Sequence, residues 1–248
     1  MFQLDPELES FREDARKMAE RAFAAKAAYW DEEEIYPTEN LKLLAELGYL
    51  GLVIPEEYGG SGAPIIQGTI LLEEIARVCF NTALVAQVGI NGPSRAIAVL
   101  GNEEQKKRWL PGCVSGENIF GIGISEPGAG SAMTDMITSA TPDGDHIILN
   151  GQKCFCTGGH VATHILVFAR WGKTQGPRGI GALVVEKGTP GFEIGHPGPK
   201  MGGRGVAEVE LFFDHCRVPV ENLIMAGDPN STRSFKRLMS SFGPERVG

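Results

Sequence analysis

The stretch EEQKKRWLPGCVSGENIFGIGI, residues 103–124, joins two kinds of chain. Gly101-Asn102 interrupts the apolar run before it, and Glu103 to Val114 reads as a short helix. From Ile119 to Ile124 the pattern is that of a strand. Everything before this point is helical in character, and most of the chain after it is extended.

Upstream, Leu4, Leu8, Phe11, Ala15, Met18 and Ala22 recur at gaps of three and four, an apolar stripe on one helix. Pro37 stands near a second helix start, and Gly48 ends the run of Leu41, Leu44 and Leu47. Helices are predicted from Ile65 to Val78 and over much of Leu84 to Leu100. Downstream, Ile137–Ala140 and His146–Leu149 flank the turn Pro142-Asp143-Gly144-Asp145. Strands are predicted at Ile165–Phe168, Ala182–Val185, Phe192–Ile194 and Val206–Phe213. In the last, Ala207, Val209, Leu211 and Phe213 alternate with polar residues, so one face turns inward. The fold class is α+β: an all-helical domain over 1–118, then a barrel or sandwich of antiparallel strands over 119–228. Residues 229–248 hold one more helix start, with Ser231 as its cap.

The chain has 248 residues, room for one large domain or two ordinary ones. Its net charge of -8 argues against nucleic acid or an anionic membrane as partner. No stretch reads as able to span a bilayer, and the acidic N-terminus lacks an apolar signal segment. Five scattered cysteines do not make a disulfide framework, so a reducing compartment, the cytoplasm, is expected. Cys154 and Cys156 form a CxC pair without two further ligands at a familiar spacing, and no metal site is expected.

Three small motifs remain open on the residues alone. Gly128-Ala129-Gly130-Ser131 is either a turn or a loop whose N–H groups cradle an oxyanion; the glycine spacing of a dinucleotide fingerprint is absent. Lys153 to Gly159 holds either a core phenylalanine before a turn, or an aromatic and a hydroxyl set for a planar ring. Lys200 to Arg204 is a glycine turn with exposed charge, or a phosphate contact.

Taken together, these segments resemble the acyl-CoA dehydrogenase family. The resemblance rests on Ile54 to Gly62, Gly101 to Lys106 with Trp109-Leu110-Pro111, and Ile124-Ser125-Glu126-Pro127-Gly128-Ala129-Gly130-Ser131. Asn150 to Gly159, Lys200 to Arg204, and Glu210 to Phe213 with Val218-Pro219 continue it in order. It covers essentially the whole chain. It implies a helical domain, a β domain and a four-helix C-terminal domain, with 229–248 as the start of the third. It implies FAD as cofactor, contacted by Ser125, Gly130, Ser131, Phe155 (where the family usually has tryptophan) and Thr157, whose hydroxyl is expected near flavin N5. The implied reaction is α,β-dehydrogenation of an acyl-CoA to the 2,3-enoyl-CoA, with Ser131 and Arg204 toward the substrate. An electron-transfer flavoprotein is the implied electron acceptor, and a homotetramer or dimer the implied assembly of the complete enzyme. The helix from Leu84 to Ala98 would line the acyl-tail pocket.

Three departures stand against the family pattern. Ala132 replaces the aspartate usual after the glycine-serine pair. Gly205-Val206-Ala207-Glu208 replaces a hydroxyl-rich segment. The C-terminal domain, which in most members carries the catalytic glutamate, is expected to be missing; Glu245 matches the position used as base by a minority. An acyl-CoA oxidase, or a non-catalytic subunit or interaction module, is the alternative reading.

Overall fold

A computed structural model of the chain describes residues 4–243 and Arg246. Glu245, the expected alternative base, lies outside the described residues.

Helix α1 spans Pro6–Phe23, with the Asp5 side chain accepting from Leu8 N–H as its cap. Its stripe is the one read from the sequence: Ala15 is buried, and Phe11, Met18 and Ala22 pack on the same core. Helices α2 (Ala27–Glu32) and α3 (Thr38–Glu46) come next, and Gly48 at φ 77° turns the chain out of α3. Helix α4 (Ile65–Ala76) packs on α1 and on α5 (Phe80–Asn91).

The single helix expected over 84–100 is two, α5 and α6 (Pro93–Leu100). Pro93 opens α6 at its first turn, and a Cβ on Gly92 would lie 2.5 Å from the Val88 carbonyl oxygen. The expectation of no membrane-length segment also needs correction. Phe80–Leu100 passes that test by length and composition. It is however broken at Gly92–Pro93 and more than half buried within this fold, which marks a core segment. Helix α7 (Glu103–Ser115) begins with a reciprocal capping box between Asn102 and Gln105.

The sheet holds β1 (Phe120–Gly123), β2 (Ser139–Asp143), β3 (His146–Thr157), β4 (His164–Arg170), β5 (Ile180–Glu186), β6 (Phe192–Ile194), β7 (Glu208–Pro219) and β8 (Leu223–Met225). Its order is β6-β7-β3-β2-β4-β5-β8, with β1 beside β4. Most neighbours are antiparallel, as expected, but β1 and β2 meet β4 in parallel. The path is open: its ends, β6 and β8, do not pair with each other among the described residues. Strand β3 runs on through 150–157, beyond the four-residue strand expected. Bulges opposite β7 at Leu149/Gly151 and Lys153/Cys156 break the two-residue alternation without breaking the pairing.

One buried cluster fills the helical layer, and another fills the sheet between β3, β4, β5 and β7. A third joins Trp109, Leu110 and Ile97 of the helices to Phe168, Ala182 and Val184 of the sheet. Helix α8 (Arg233–Ser241) closes this seam with Leu238, and Phe242 packs 5.6 Å from Phe168. Ser231 serves the start of α8, its hydroxyl accepting from Arg233 N–H, although Thr232 holds the cap position.

Candidate functional site

Beyond β1 the chain makes a tight turn in which Glu126 and Ala129 exchange backbone hydrogen bonds, each 3.0 Å. The turn is anchored from beneath. The buried Glu126 carboxylate accepts from the Ile137 and Thr138 N–H groups at 2.6 and 2.9 Å. It also accepts from the Lys153 ammonium at 2.8 Å, and Lys153 reaches the Ile124 carbonyl at 3.0 Å. Lys153 has no exposed surface, so water does not compete for these bonds. Arg170 extends the brace, donating to the carbonyls of Met136, Thr134, Gly176 and Arg178.

The upper side of the turn is open. Gly128, Gly130 and Ser131 are exposed, and their N–H groups have no acceptor among the described residues. A Cβ on Gly128 or Gly130 would meet nothing within 4 Å. Packing within the chain therefore does not require glycine here. Bare backbone N–H groups in such a turn can cradle an anion.

Strand β3 ends beside this loop, and Cys154 N–H donates to the Ser125 carbonyl at 2.9 Å. Cys154 and Cys156 turn inward; burial pushes the Cys156 thiol up to about 12, and it stays protonated. Phe155 between them is 75% exposed at φ 56°, a left-handed backbone at the bulge. Phe155 shares its positive φ with Glu34 and His215, and it is the exposure of its ring that sets it apart as an apolar surface group. A groove of about 380 Å³ runs past it, lined by Phe155, His196, Lys200, Glu208 and Glu210.

Thr157 lies in the wall of a second, interior cavity of about 30 Å³, which Tyr36, Leu50, Val85, Gly89 and Ser94 also line. Burial raises the Tyr36 hydroxyl pKa, so that side chain stays neutral. Thr157 Oγ1 donates to the Glu208 carboxylate, at 2.9 and 3.0 Å from its two oxygens. Lys200 Nζ stands 3.6 Å from Glu208 and donates to the Val206 carbonyl at 2.8 Å.

Ser125 is tied to the end of β3 by the bond from Cys154, and Gly130 and Ser131 lie on the turn that follows Ser125. Phe155 lines the outer groove and Thr157 the interior cavity, so these two do not share one pocket. Arg204 is elsewhere engaged. Its backbone N–H donates to Asp31 at 2.8 Å, and its guanidinium lies 3.4 Å from Asp31 and 3.7 Å from Glu34. The Arg204 backbone bond, then the Asn81 amide, hold the Asp31 carboxyl below its usual range. Sequence reasoning misses the supports: the Glu126–Lys153 pair, Arg170 and the Glu208 contact. A lysine among the Cys-Phe-Cys residues of a strand is the one signal that points to the first.

A helical layer seated on a mainly antiparallel, open sheet defines a two-domain α+β protein. Residues 5–117 match the acyl-CoA dehydrogenase N-terminal domain and residues 121–216 its middle domain. The chain belongs to the acyl-CoA dehydrogenase family. It is 38% identical over 247 residues to "Acyl-CoA dehydrogenase, short-chain specific" of Clostridium acetobutylicum, covering 100% of this chain and 64% of that protein. Butyryl-CoA dehydrogenase from Megasphaera elsdenii superposes with a TM-score of 0.89 at 32% identity, covering 99% of this chain and 64% of that one. A chain from the structure described as "Electron transferring flavoprotein of Acidaminococcus fermentans: Towards a mechanism of flavin-based electron bifurcation" superposes at 0.90 with 33% identity, covering 99% and 64%. The chain therefore spans less than two-thirds of the length of these relatives.

Proposed function

We propose that this chain is the helical and β portion of an FAD-dependent acyl-CoA dehydrogenase that converts an acyl-CoA to its 2,3-enoyl-CoA. The observation that carries this reading is the turn: the N–H groups of Gly128, Gly130 and Ser131 have no acceptor among the described residues, and Ser125 ties the turn to the strand that carries the exposed Phe155. The N–H groups would bind the phosphate end of the cofactor, and Ser125, Phe155 and Thr157 would meet its ring. When bound, the flavin supplies the sink for a hydride and its electron pair.

The chain's own residues do the rest. The Glu126–Lys153 anchor keeps the loop in place without exposing its charges. Helix α5 would line the acyl tail; the cavity between it and Thr157 holds about 30 Å³, room for one water, so its wall would have to open to admit a tail. Ser131 would contact the CoA end of the substrate, and Glu245 is proposed as the base that removes the α-proton. The complete enzyme is proposed to work in the cytoplasm as a homotetramer or dimer. It is proposed to pass electrons to an electron-transfer flavoprotein; the relative from Acidaminococcus fermentans supports that pairing.

The test is the visible spectrum of the flavin-loaded protein before and after anaerobic addition of an acyl-CoA series. Bleaching by one chain length supports dehydrogenation and names the substrate class; rapid re-oxidation by oxygen would favour an oxidase instead. Failure to retain FAD at all would overturn the reading in favour of a non-catalytic module.

A further inference from the structure

We propose that Glu208 is a positioning residue that turns Thr157 into a hydrogen-bond acceptor toward the ring of the bound cofactor. The inference rests on the flavin reading above. It is carried by the contact between Thr157 and Glu208 of the Gly205-Val206-Ala207-Glu208 segment.

A threonine hydroxyl has one proton and two lone pairs. In this structure the proton of Thr157 is committed: Oγ1 lies 2.9 and 3.0 Å from the two Glu208 oxygens. The carboxylate accepts only. It is itself held in place by Lys200, whose ammonium is fixed on the Val206 carbonyl at 2.8 Å and stands 3.6 Å from Glu208. Val206 and Ala207 carry no hydroxyl that could take over the contact. Whatever ligand atom lies against Thr157 therefore meets a lone pair.

For a flavin this selects between redox states. The N5 atom of the oxidised ring has no proton and can only accept. The two-electron-reduced ring carries N5–H and can donate. With Glu208 in place, Thr157 matches the reduced ring and leaves N5 of the oxidised ring without its bond. Removing the carboxylate releases the hydroxyl to rotate and donate.

The experiment is ¹⁵N NMR of the chain loaded with oxidised FAD labelled at N5, whose resonance moves upfield when N5 accepts a hydrogen bond. In the native chain the resonance is expected to coincide with that of Thr157→Val. It should move upfield in Glu208→Ala and return in the double variant Glu208→Ala/Thr157→Val. Glu208→Met, which keeps the side-chain length, should reproduce Glu208→Ala. An N5 shift caused by Thr157→Val alone would overturn the proposal, as would an unmoved resonance in Glu208→Ala with FAD bound. Absence of bound FAD in every form would instead overturn the cofactor reading, and this inference with it.

Discussion

Lys153 has no exposed surface, and its ammonium is answered by one carboxylate and one carbonyl. Burial works to raise the Glu126 pKa, but the charge of Lys153 and the hydrogen bonds from Ile137, Lys153 and Thr138 outweigh it and hold the carboxyl below its ordinary value. Glu126→Gln leaves a cation enclosed without its counter-charge. The expected loss is about 3–5 kcal/mol in denaturant unfolding at neutral pH, with much of it restored in Glu126→Gln/Lys153→Met. The pH dependence has a definite sign. A depressed carboxylate stabilises the fold above the ordinary glutamate range, about pH 4.3, and that share is lost as pH falls through the lower native value. The gap between native chain and Glu126→Gln should therefore narrow on acidification; a constant gap would show that the ion pair is not its source. Phe155 is the opposite case. Its side chain is exposed and its backbone sits at φ 56°, where glycine is at ease and phenylalanine is not. Phe155→Gly should leave stability unchanged or raise it by up to about 1 kcal/mol, while FAD binding weakens. A drop in melting temperature would mean that the ring packs on its own chain rather than on a ligand.

At the scale of elements, the sequence was legible wherever one rule acted alone. The apolar stripe of α1 and the stop at Gly48 follow from period and punctuation, and both are found. Strand β3 was only half legible, because its two bulges erase the alternation that marks a strand. The residues proposed to face the cofactor could be named from family resemblance, but their supports could not. Glu126 and Lys153 are 27 residues apart, and only the sheet brings them together. The break at Gly92–Pro93 was written in the residues, yet continuous apolar character on both sides masked it. Gln105 shows a residue with a local and a distant task. Its side-chain oxygen accepts from Asn102 N–H in the capping box, while its amide donates to the carbonyls of Glu221 and Leu223. A capping box is visible in sequence; the reach to β8 is not. Gln105→Ala removes three bonds and leaves two carbonyls of the seam short of a donor, a loss of about 2–4 kcal/mol. Gln105→Glu, which keeps the cap but cannot donate the same bonds, separates the two tasks: a native-like melting curve would show that only the cap matters.

For the whole molecule the question is what binds the helical layer to the sheet. One clamp is polar, at the groups Asp31, Asn81, Arg204 and Gly205: the Asn81 amide donates to Asp31, and its oxygen accepts from Gly205 N–H at 3.0 Å. The other is apolar and passes through α8. Although α8 comes after the last strand, Leu238 is completely buried and Phe242 nearly so, in the cluster that also holds Ile97, Trp109 and Phe168. Helix α8 is thus a wedge between α6 and β5, and both layers lean on it. Leu238→Ala opens a cavity at their junction and should cost about 2–5 kcal/mol. The distribution of the effect is as informative as its size. Amide exchange should accelerate together in α6, β5 and α8, because one buried contact set links them. A loss under about 0.5 kcal/mol, the scale of an ordinary surface change, would place α8 outside the cooperative core. Acceleration confined to α8 would assign the joining of the layers to the Asp31–Arg204 clamp alone.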